Sequence, residues 1–511
     1  MRLVGILLGG LLYALALPPV DQPACAWLAL VPLLLVVRDQ PLRSAFAYGC
    51  LFGYAYGWSS MWSLAEAVAG FFQMPLPFAV AAVGLYFFGV GGLPAGCFSA
   101  GSAVLFRSLP FAGRALAIPS LWVACEVIRA RVIEQPWDLL GYTQHGSLAL
   151  IQVAAFTGVY GVSFLIALGA VAVAESTVRF TTKRRLLHVV RPLAIPTAVV
   201  IVVCWMGNAT LRAGIDGVGP VAGTLQNVSV VQTNLAPALH WTPGYTAAQV
   251  TSHLNATAAI PSSDRPALIV WPENAVPRYL EADPMLASTL SGMAQRERAD
   301  LLFGAPRHDG EHVFNSVRLI TSAGRNGGHY DKRRLVWLAE RKPWASPTGL
   351  EDPNPTVFAS GTDPGVLESF VRLGVSVCHE VIHPDLIADS VRHGAELLVN
   401  VANDSWITGP SQAPAYQQHL AMAVFRAVET RRYLVRAALT GMSAVVDPFG
   451  RILGALPPEQ RGILTIPVRG IDSLTWYVRF HDAFAWVCVL VAMTALLAFG
   501  RRGPRSTLLA S

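Results

Sequence analysis

Two hydrophobic patterns follow one another along the chain. Charge is sparse up to about residue 211, returns between roughly 220 and 480, and gives way to one last apolar run. Eight apolar stretches stand out, at roughly 3 to 19, 24 to 37, 44 to 65, 77 to 106, 115 to 128, 148 to 175, 193 to 211 and 484 to 500. Several approach the ~20 residues that a helix needs to cross a bilayer, although the second and fifth are short and the fourth is long. Between the seventh and the eighth the pattern changes to short β-branched runs separated by helical segments. Val228–Asn234, Ala267–Trp271, Leu301–Gly304, Val317–Thr321, Val371–Val377, Glu396–Val401 and Tyr433–Ala437 read as strands, and the segment around 244 to 260 as a helix. Many of these runs are apolar throughout, which predicts an α/β layered sheet buried on both faces. The expected organisation is a membrane domain of seven spans over 1–215, a polar α/β domain over 220–475, and a final span over 482–502.

Composition sharpens this picture. The 511 residues are 53% hydrophobic and only 14% charged, and the mean hydropathy is +0.45. That is too apolar for an ordinary soluble enzyme of this size. Basic residues set an orientation through the bias of short cytoplasmic loops. Arg2 precedes the first span, Arg38 and Arg43 lie between the second and third, and Arg107 and Arg114 between the fourth and fifth. Arg179, Lys183, Arg184, Arg185 and Arg191 lie between the sixth and seventh, and Arg501, Arg502 and Arg505 follow the eighth. With eight spans all of these share one side, the cytoplasm, and the 220–475 domain lies on the other. Arg129 and Arg131 fall on the outer side, where pairing with Glu126, Glu134 or lipid phosphate would accommodate them. The first span follows a single Arg and lacks a cleavage site of small residues, so it reads as retained. The net charge of +6 comes partly from these anchoring loops and does not argue for nucleic acid. The twelve histidines are scattered and there is no metal-ligand or Gly-rich phosphate motif, so no cofactor is expected.

Candidate chemistry centres on one thiol. Of seven cysteines, Cys25, Cys50, Cys97, Cys125, Cys204 and Cys488 sit in apolar runs, where a thiol behaves as a small hydrophobe. Cys378 alone sits in the polar part, at the end of the Val371–Val377 run, with Glu380 two residues on. Open α/β sheets place their chemistry at the carboxyl ends of strands, which makes Cys378 a candidate nucleophile. A thiol needs a base or a depressed pKa to attack. Glu273, after the strand Ala267–Trp271, is a candidate base whose partial burial would raise its pKa toward the working pH. Lys332 would supply positive charge to a developing oxyanion.

These residues resemble motifs of the bacterial apolipoprotein N-acyltransferases, whose outer domain belongs to the nitrilase superfamily. Trp271-Pro272-Glu273 looks like that family's W-P-E element. Tyr330-Asp331-Lys332 with Leu335 and Glu340 looks like its Y-x-K-x-x-L and following glutamate, and Cys378-His379-Glu380 like its C-Y-E. Phe314-Asn315-Ser316, Asn403-Asp404-Ser405-Trp406, and Arg426, Glu429 and Arg432 leading to Thr440-Gly441-Met442-Ser443 are further matches. In the apolar part Glu126 with Arg129, Pro136-Trp137, Gly141-Tyr142 and Gly158-Val159-Tyr160-Gly161 extend the resemblance to nearly the whole chain.

The resemblance implies an α-helical transmembrane bundle of about eight spans plus an α/β nitrilase-like αββα sandwich, in a bacterial plasma (inner) membrane with the catalytic domain on the periplasmic side. It implies Glu273, Lys332 and Cys378 as a triad, Glu340 and Glu380 as supporting carboxylates, and Trp241 and Trp406 at the substrate entrance. The implied reaction moves an acyl chain from a membrane phospholipid to Cys378 and then to the amine of a diacylglyceryl-cysteine on a diacylated lipoprotein. The stretch from Leu335 through Trp337 to Trp344 reads as an interfacial lid. Three departures stand out: His379 replaces the usual tyrosine, Trp337-Leu338-Ala339-Glu340 replaces P-F-G-E, and Trp406-Ile407-Thr408-Gly409 is longer than W-F-G. Two other readings stay open at this level: a membrane-tethered amidase that uses water, and a binding or assembly protein indifferent to Cys378.

Overall fold

The computed structural model describes all residues except 184–185, 218–220, 236–240, 311, 343–356, 405–414 and 501–511. The chain forms two compact units, one of Met1–Arg212, Gly409–Ala421 and Phe480–Ser511, the other of Ala213–Thr408 and Met422–Arg479.

The first unit is helical. Leu76–Ser108, Phe111–Arg131, Val159–Thr182 and Leu187–Ala213 are long and apolar enough to cross a membrane. Shorter apolar helices lie at Arg2–Ala16, Pro23–Val37, Leu148–Thr157 and Ala483–Ala498, and Leu42–Ser60 adds another 19 residues. Two of the expected spans are interrupted. The second divides into Pro23–Ala29 and Val31–Val37. The sixth is broken at Gly158, whose φ of 64° ends the helical turn Ala154–Thr157 before Val159–Lys183 begins. The long fourth span keeps its continuity through a π-helical turn at Phe88–Gly92.

The two outlying arginines find acidic partners. Arg129 pairs with Asp138 and donates to Tyr56 Oη at 2.6 Å, while Arg131 pairs with Asp482. Glu126 instead accepts from Trp122 Nε1 (2.9 Å) and the Leu140 amide (2.8 Å). A glutamate one turn from an arginine looks like its partner in sequence, yet Asp138 lies in the loop that folds back over the end of the helix. Within this unit Gln418 accepts from Trp137 Nε1 at 2.8 Å and donates to the carbonyls of Pro18 and Ser60, each at 3.0 Å. The stretch around Gln418 thus belongs to the helical unit although it interrupts the second unit in sequence.

The second unit contains two six-stranded sheets. The strands are β1 Val221–Gln232, β2 Leu268–Val270, β3 Asp300–His308, β4 Val313–Ile320, β5 Asn326–Asp331, β6 Val366–Glu368, β7 Arg372–Val377, β8 Leu397–Ala402, β9 Leu434–Ala438, β10 Ser443–Val446, β11 Ile452–Leu456 and β12 Gly462–Ile471. One sheet has the order β12-β1-β2-β3-β4-β5, the other β11-β10-β9-β8-β7-β6. In each, three parallel strands are flanked by antiparallel ones: β1, β2 and β3 in the first, β7, β8 and β9 in the second. Side-chain alternation builds the layers. Leu268 and Val270 join Val375, Val399, Val435 and Val445 in a core shared by the two sheets. Ile269 and Trp271 face the other way, packing with Val250, Leu290 and Met293 of the helices Pro243–Ala258 and Pro284–Glu297. The amphipathic helix Pro384–Arg392 buries Leu386, Ile387, Ala388 and Val391. The result is the αββα sandwich expected from the resemblance.

Candidate active site

The parallel strands deliver the chemistry at their carboxyl ends. Glu273 follows β2, Cys378 follows β7 and Asn403 follows β8, while Lys332 follows the antiparallel β5. Each is fixed by local structure. Glu273 lies where the chain crosses closely over β3: a Cβ at Gly304 would come within 2.6 Å of the Glu273 Cα, so only glycine permits the approach. The Lys332 amide continues the β4–β5 ladder by donating to Asn315 O at 2.9 Å. Just before it, Asp331 is held by Arg307 (Nη2 at 2.6 Å) and Ser316 Oγ (2.5 Å). Cys378 opens the 3-10 turn Cys378–Ile382 with φ of 50°, a left-handed conformation that a non-glycine residue adopts only when its surroundings enforce it.

Glu380 supplies much of that enforcement. It is completely buried. One oxygen accepts from Tyr330 Oη (2.8 Å) and the amides of Arg333 (2.7 Å) and Arg334 (2.9 Å). The other accepts from the Val377 amide at 2.7 Å. One carboxylate thereby ties the turn of the nucleophile to the loop that carries Lys332. Arg333 and Arg334 reinforce the tie through Asp389 (2.8 Å) and Asp385 (3.0 Å) on the helix Pro384–Arg392.

The three chemical groups meet in a nearly water-free place. Cys378 and Lys332 are each 1% exposed and Glu273 4%. Lys332 Nζ lies 3.7 Å from Glu273 Oε1 and 2.8 Å from Glu340 Oε1. Asn315 bridges the two carboxylates, its Nδ2 donating to Glu273 at 2.7 Å and to Glu340 at 2.9 Å. The Asn403 amide donates to the other Glu273 oxygen at 2.8 Å. The Cys378 thiol donates to Asn403 O at 3.8 Å, and it interacts electrostatically with the Glu273 carboxyl.

Electrostatics assign resting protonation states. Burial raises the Glu273 carboxyl above the usual range, with Lys332 opposing and Glu340 adding to the rise. Burial alone would lower Lys332, but Glu340 and Glu273 outweigh it and hold the ammonium firmly protonated. Burial and then the Glu273 charge push the Cys378 thiol well up, against the pull of Lys332. The thiol is therefore protonated at rest, and a base must remove its proton as it attacks. Glu273 is the carboxylate whose charge acts on the thiol, and the Lys332 ammonium stands 3.7 Å from Glu273 Oε1.

Of the residues singled out from the sequence, the fold brings together Glu273, Lys332, Cys378, Glu340 and Glu380. Trp241 is half-buried just before the Thr242 cap of Pro243–Ala258, and no hydrogen bond or ring contact joins it to them among the described residues. Trp406 and the last two residues of the Leu335–Trp344 stretch lie outside the described residues; in the rest of that stretch Trp337 is exposed and bridges to Arg341. Asn315 and Asn403 contribute more than sequence reasoning gave them. So do Asn400 and Arg436, each a polar residue in the middle of an apolar strand, which is itself a sign of a buried partner.

Comparison with known proteins defines the class first. Residues 227–470 match the carbon-nitrogen hydrolase family, and residues 9–172 match the apolipoprotein N-acyltransferase N-terminal domain. The sandwich with its Cys, Glu and Lys is thus a nitrilase-type domain carried by a helical membrane unit. The apolipoprotein N-acyltransferase of Geobacter metallireducens is 35% identical over 97% of this chain and 95% of its own length. That of Azotobacter vinelandii is 33% identical over 98% of this chain and 95% of its own. Among solved structures, an amidase from Nesterenkonia sp. aligns with 53% of this chain and 98% of its own, at 21% identity and a TM-score of 0.39. The chain belongs to the apolipoprotein N-acyltransferases and is a membrane acyltransferase.

Proposed function

We propose that Cys378 carries an acyl chain as a thioester between a membrane phospholipid and the N-terminal amine of a diacylglyceryl-cysteine lipoprotein. In the first half Glu273 takes the thiol proton as Cys378 Sγ attacks the ester carbonyl. The oxyanion forms against Lys332, the C–O bond breaks, and the departing lysophospholipid oxygen receives the proton from Glu273. In the second half the α-amino nitrogen attacks the thioester carbonyl, Glu273 accepts its proton, and the amide forms as sulfur leaves and is reprotonated. Ping-pong kinetics follow.

The observation that supports this most is the convergence of thiol, carboxylate and ammonium in one buried cluster, with the thiol protonated and Asn403 touching both it and Glu273. The helical unit makes physical sense beside it. Taking a full-length acyl chain into water costs about 0.8 kcal/mol per CH2, on the order of 10 kcal/mol in all, and a site at the outer surface of the inner membrane avoids most of that. That surface is the periplasmic one in the orientation set by the basic loops. Glu340 orients Lys332, Glu380 holds the nucleophile turn, and the family resemblance assigns Trp241 and Trp406 to the substrate entrance.

The test uses purified protein, a phospholipid labelled in its acyl chain, and a diacylated lipopeptide. The expected result is an acyl adduct on Cys378 by intact mass, chased to the peptide amine, and no adduct on Cys378→Ala. An adduct that only water discharges would leave the amidase reading. Acyl transfer unaffected by Cys378→Ala would end the nucleophile assignment.

A further inference from the structure

Behind the nucleophile lies a second polar cluster that the reaction itself does not touch. Arg436 on β9 and Asp404 after β8 are both fully buried. Arg436 Nη2 reaches the two Asp404 oxygens at 2.9 and 2.7 Å. Its Nη1 donates to Asn400 Oδ1 on β8. Asn400 Nδ2 in turn donates to Ser376 Oγ (3.0 Å) and to the carbonyls of Ser376 and Cys378 (3.3 Å each). Asp404 is the immediate neighbour of Asn403, whose N–H holds Glu273 and whose carbonyl faces the thiol. Space is closed here as well: a Cβ at Gly441 would stand 2.2 Å from Asp404 Oδ2.

We infer that Arg436 is a positioning residue that fixes the nucleophile and its base together. One arm runs through Asn400 to the Cys378 carbonyl. The other runs through Asp404 to the Asn403 peptide. Two features require such a device. Cys378 holds a left-handed backbone conformation, and while the Val377 N–H one residue earlier is held by Glu380, the carbonyl of Cys378 itself is held by Asn400. A buried arginine also needs its carboxylate, so the pair is retained or lost as a unit. The guanidinium plane is what allows one side chain to serve both arms, which an ammonium point charge does not reproduce. The inference rests on the thioester reading above.

The test compares Arg436→Lys and Asn400→Ser with the parent enzyme, with Cys378→Ala alongside. Asn400→Ser removes the arm to Cys378, together with the bonds of Asn400 to Ser376, and leaves the Arg436–Asp404 pair in place, so it reports even if Arg436→Lys does not fold. Misplacement of the thiol by a fraction of an ångström should lower kcat for thioester formation roughly 10- to 100-fold. KM for phospholipid should stay close to the parent's and alkylation of Cys378 by iodoacetamide should slow, while the melting temperature of Asn400→Ser falls with the loss of buried bonds but the protein stays folded at the assay temperature. A folded Asn400→Ser that acylates at the parental rate would overturn the inference. So would a loss of rate that merely tracks a loss of folded protein. Residual transfer by Cys378→Ala would sink the thioester reading itself, whatever Asn400→Ser does.

Discussion

Replacing Glu380 by glutamine tests how much of the catalytic geometry hangs on one buried carboxylate. The change is isosteric, but Glu380 accepts four hydrogen bonds, three on one oxygen and one on the other. A glutamine keeps its carbonyl toward Tyr330, Arg333 and Arg334 only by turning its NH2 against the Val377 N–H, so that two donors face each other. The flipped amide forfeits three bonds instead of one. The milder arrangement loses one charge-assisted hydrogen bond, worth about 1.5–3 kcal/mol. If the loss falls on the placement of Cys378, acylation slows about 10- to 150-fold. Glu380 is completely buried and is placed to hold the turn rather than the lipid, so KM for phospholipid should change little. Single-turnover thioester formation, with enzyme in excess over labelled phospholipid, measures the step directly. A Glu380→Gln protein that is folded and acylates within about twofold of the parent would refute the reasoning.

Two other outcomes follow from the same structure. Because burial raises the Glu273 carboxyl, its basic form is lost at a higher pH than for an ordinary glutamate. Acyl transfer should therefore fall as pH drops through that raised value, with an acid limb that is displaced upward in a pH profile of kcat/KM and an activity that is abolished in Glu273→Gln. In the helical unit, Arg129→Leu should destabilise the protein by roughly 3–5 kcal/mol, because it leaves Asp138 buried without its charge partner. Thermal denaturation in detergent would report this, and an unchanged transition would show that the pair contributes nothing.

Much of this protein is legible before any coordinates. Apolar runs of bilayer length and β-branched runs between turn signals express the solvent each segment meets, and that is a local property. Cys378 and Glu273 could be singled out because a thiol and a carboxylate at the ends of predicted strands are chemically distinctive, while Lys332 stood out as a charge within the family's motif. The weak strands escaped. β5, Asn-Gly-Gly-His-Tyr-Asp, has little strand propensity of its own and extends only because β4 offers a ladder. β12 is aligned by β1, which lies more than two hundred residues away in sequence.

What the sequence determined by itself was therefore which segments are apolar, which are α/β, and which side chains are able to react. Only the tertiary structure decided who pairs with whom. Arg129 chose Asp138 over the nearer Glu126, and Arg131 reached Asp482, just before the last helix. Asn315 joined two carboxylates, and Arg436 joined Asn400 on the neighbouring strand to Asp404 just after it. The physical reason is that a buried charge or amide must find its complement within about 3 Å. Which group stands there depends on how distant segments stack, a distance that residue numbers do not encode.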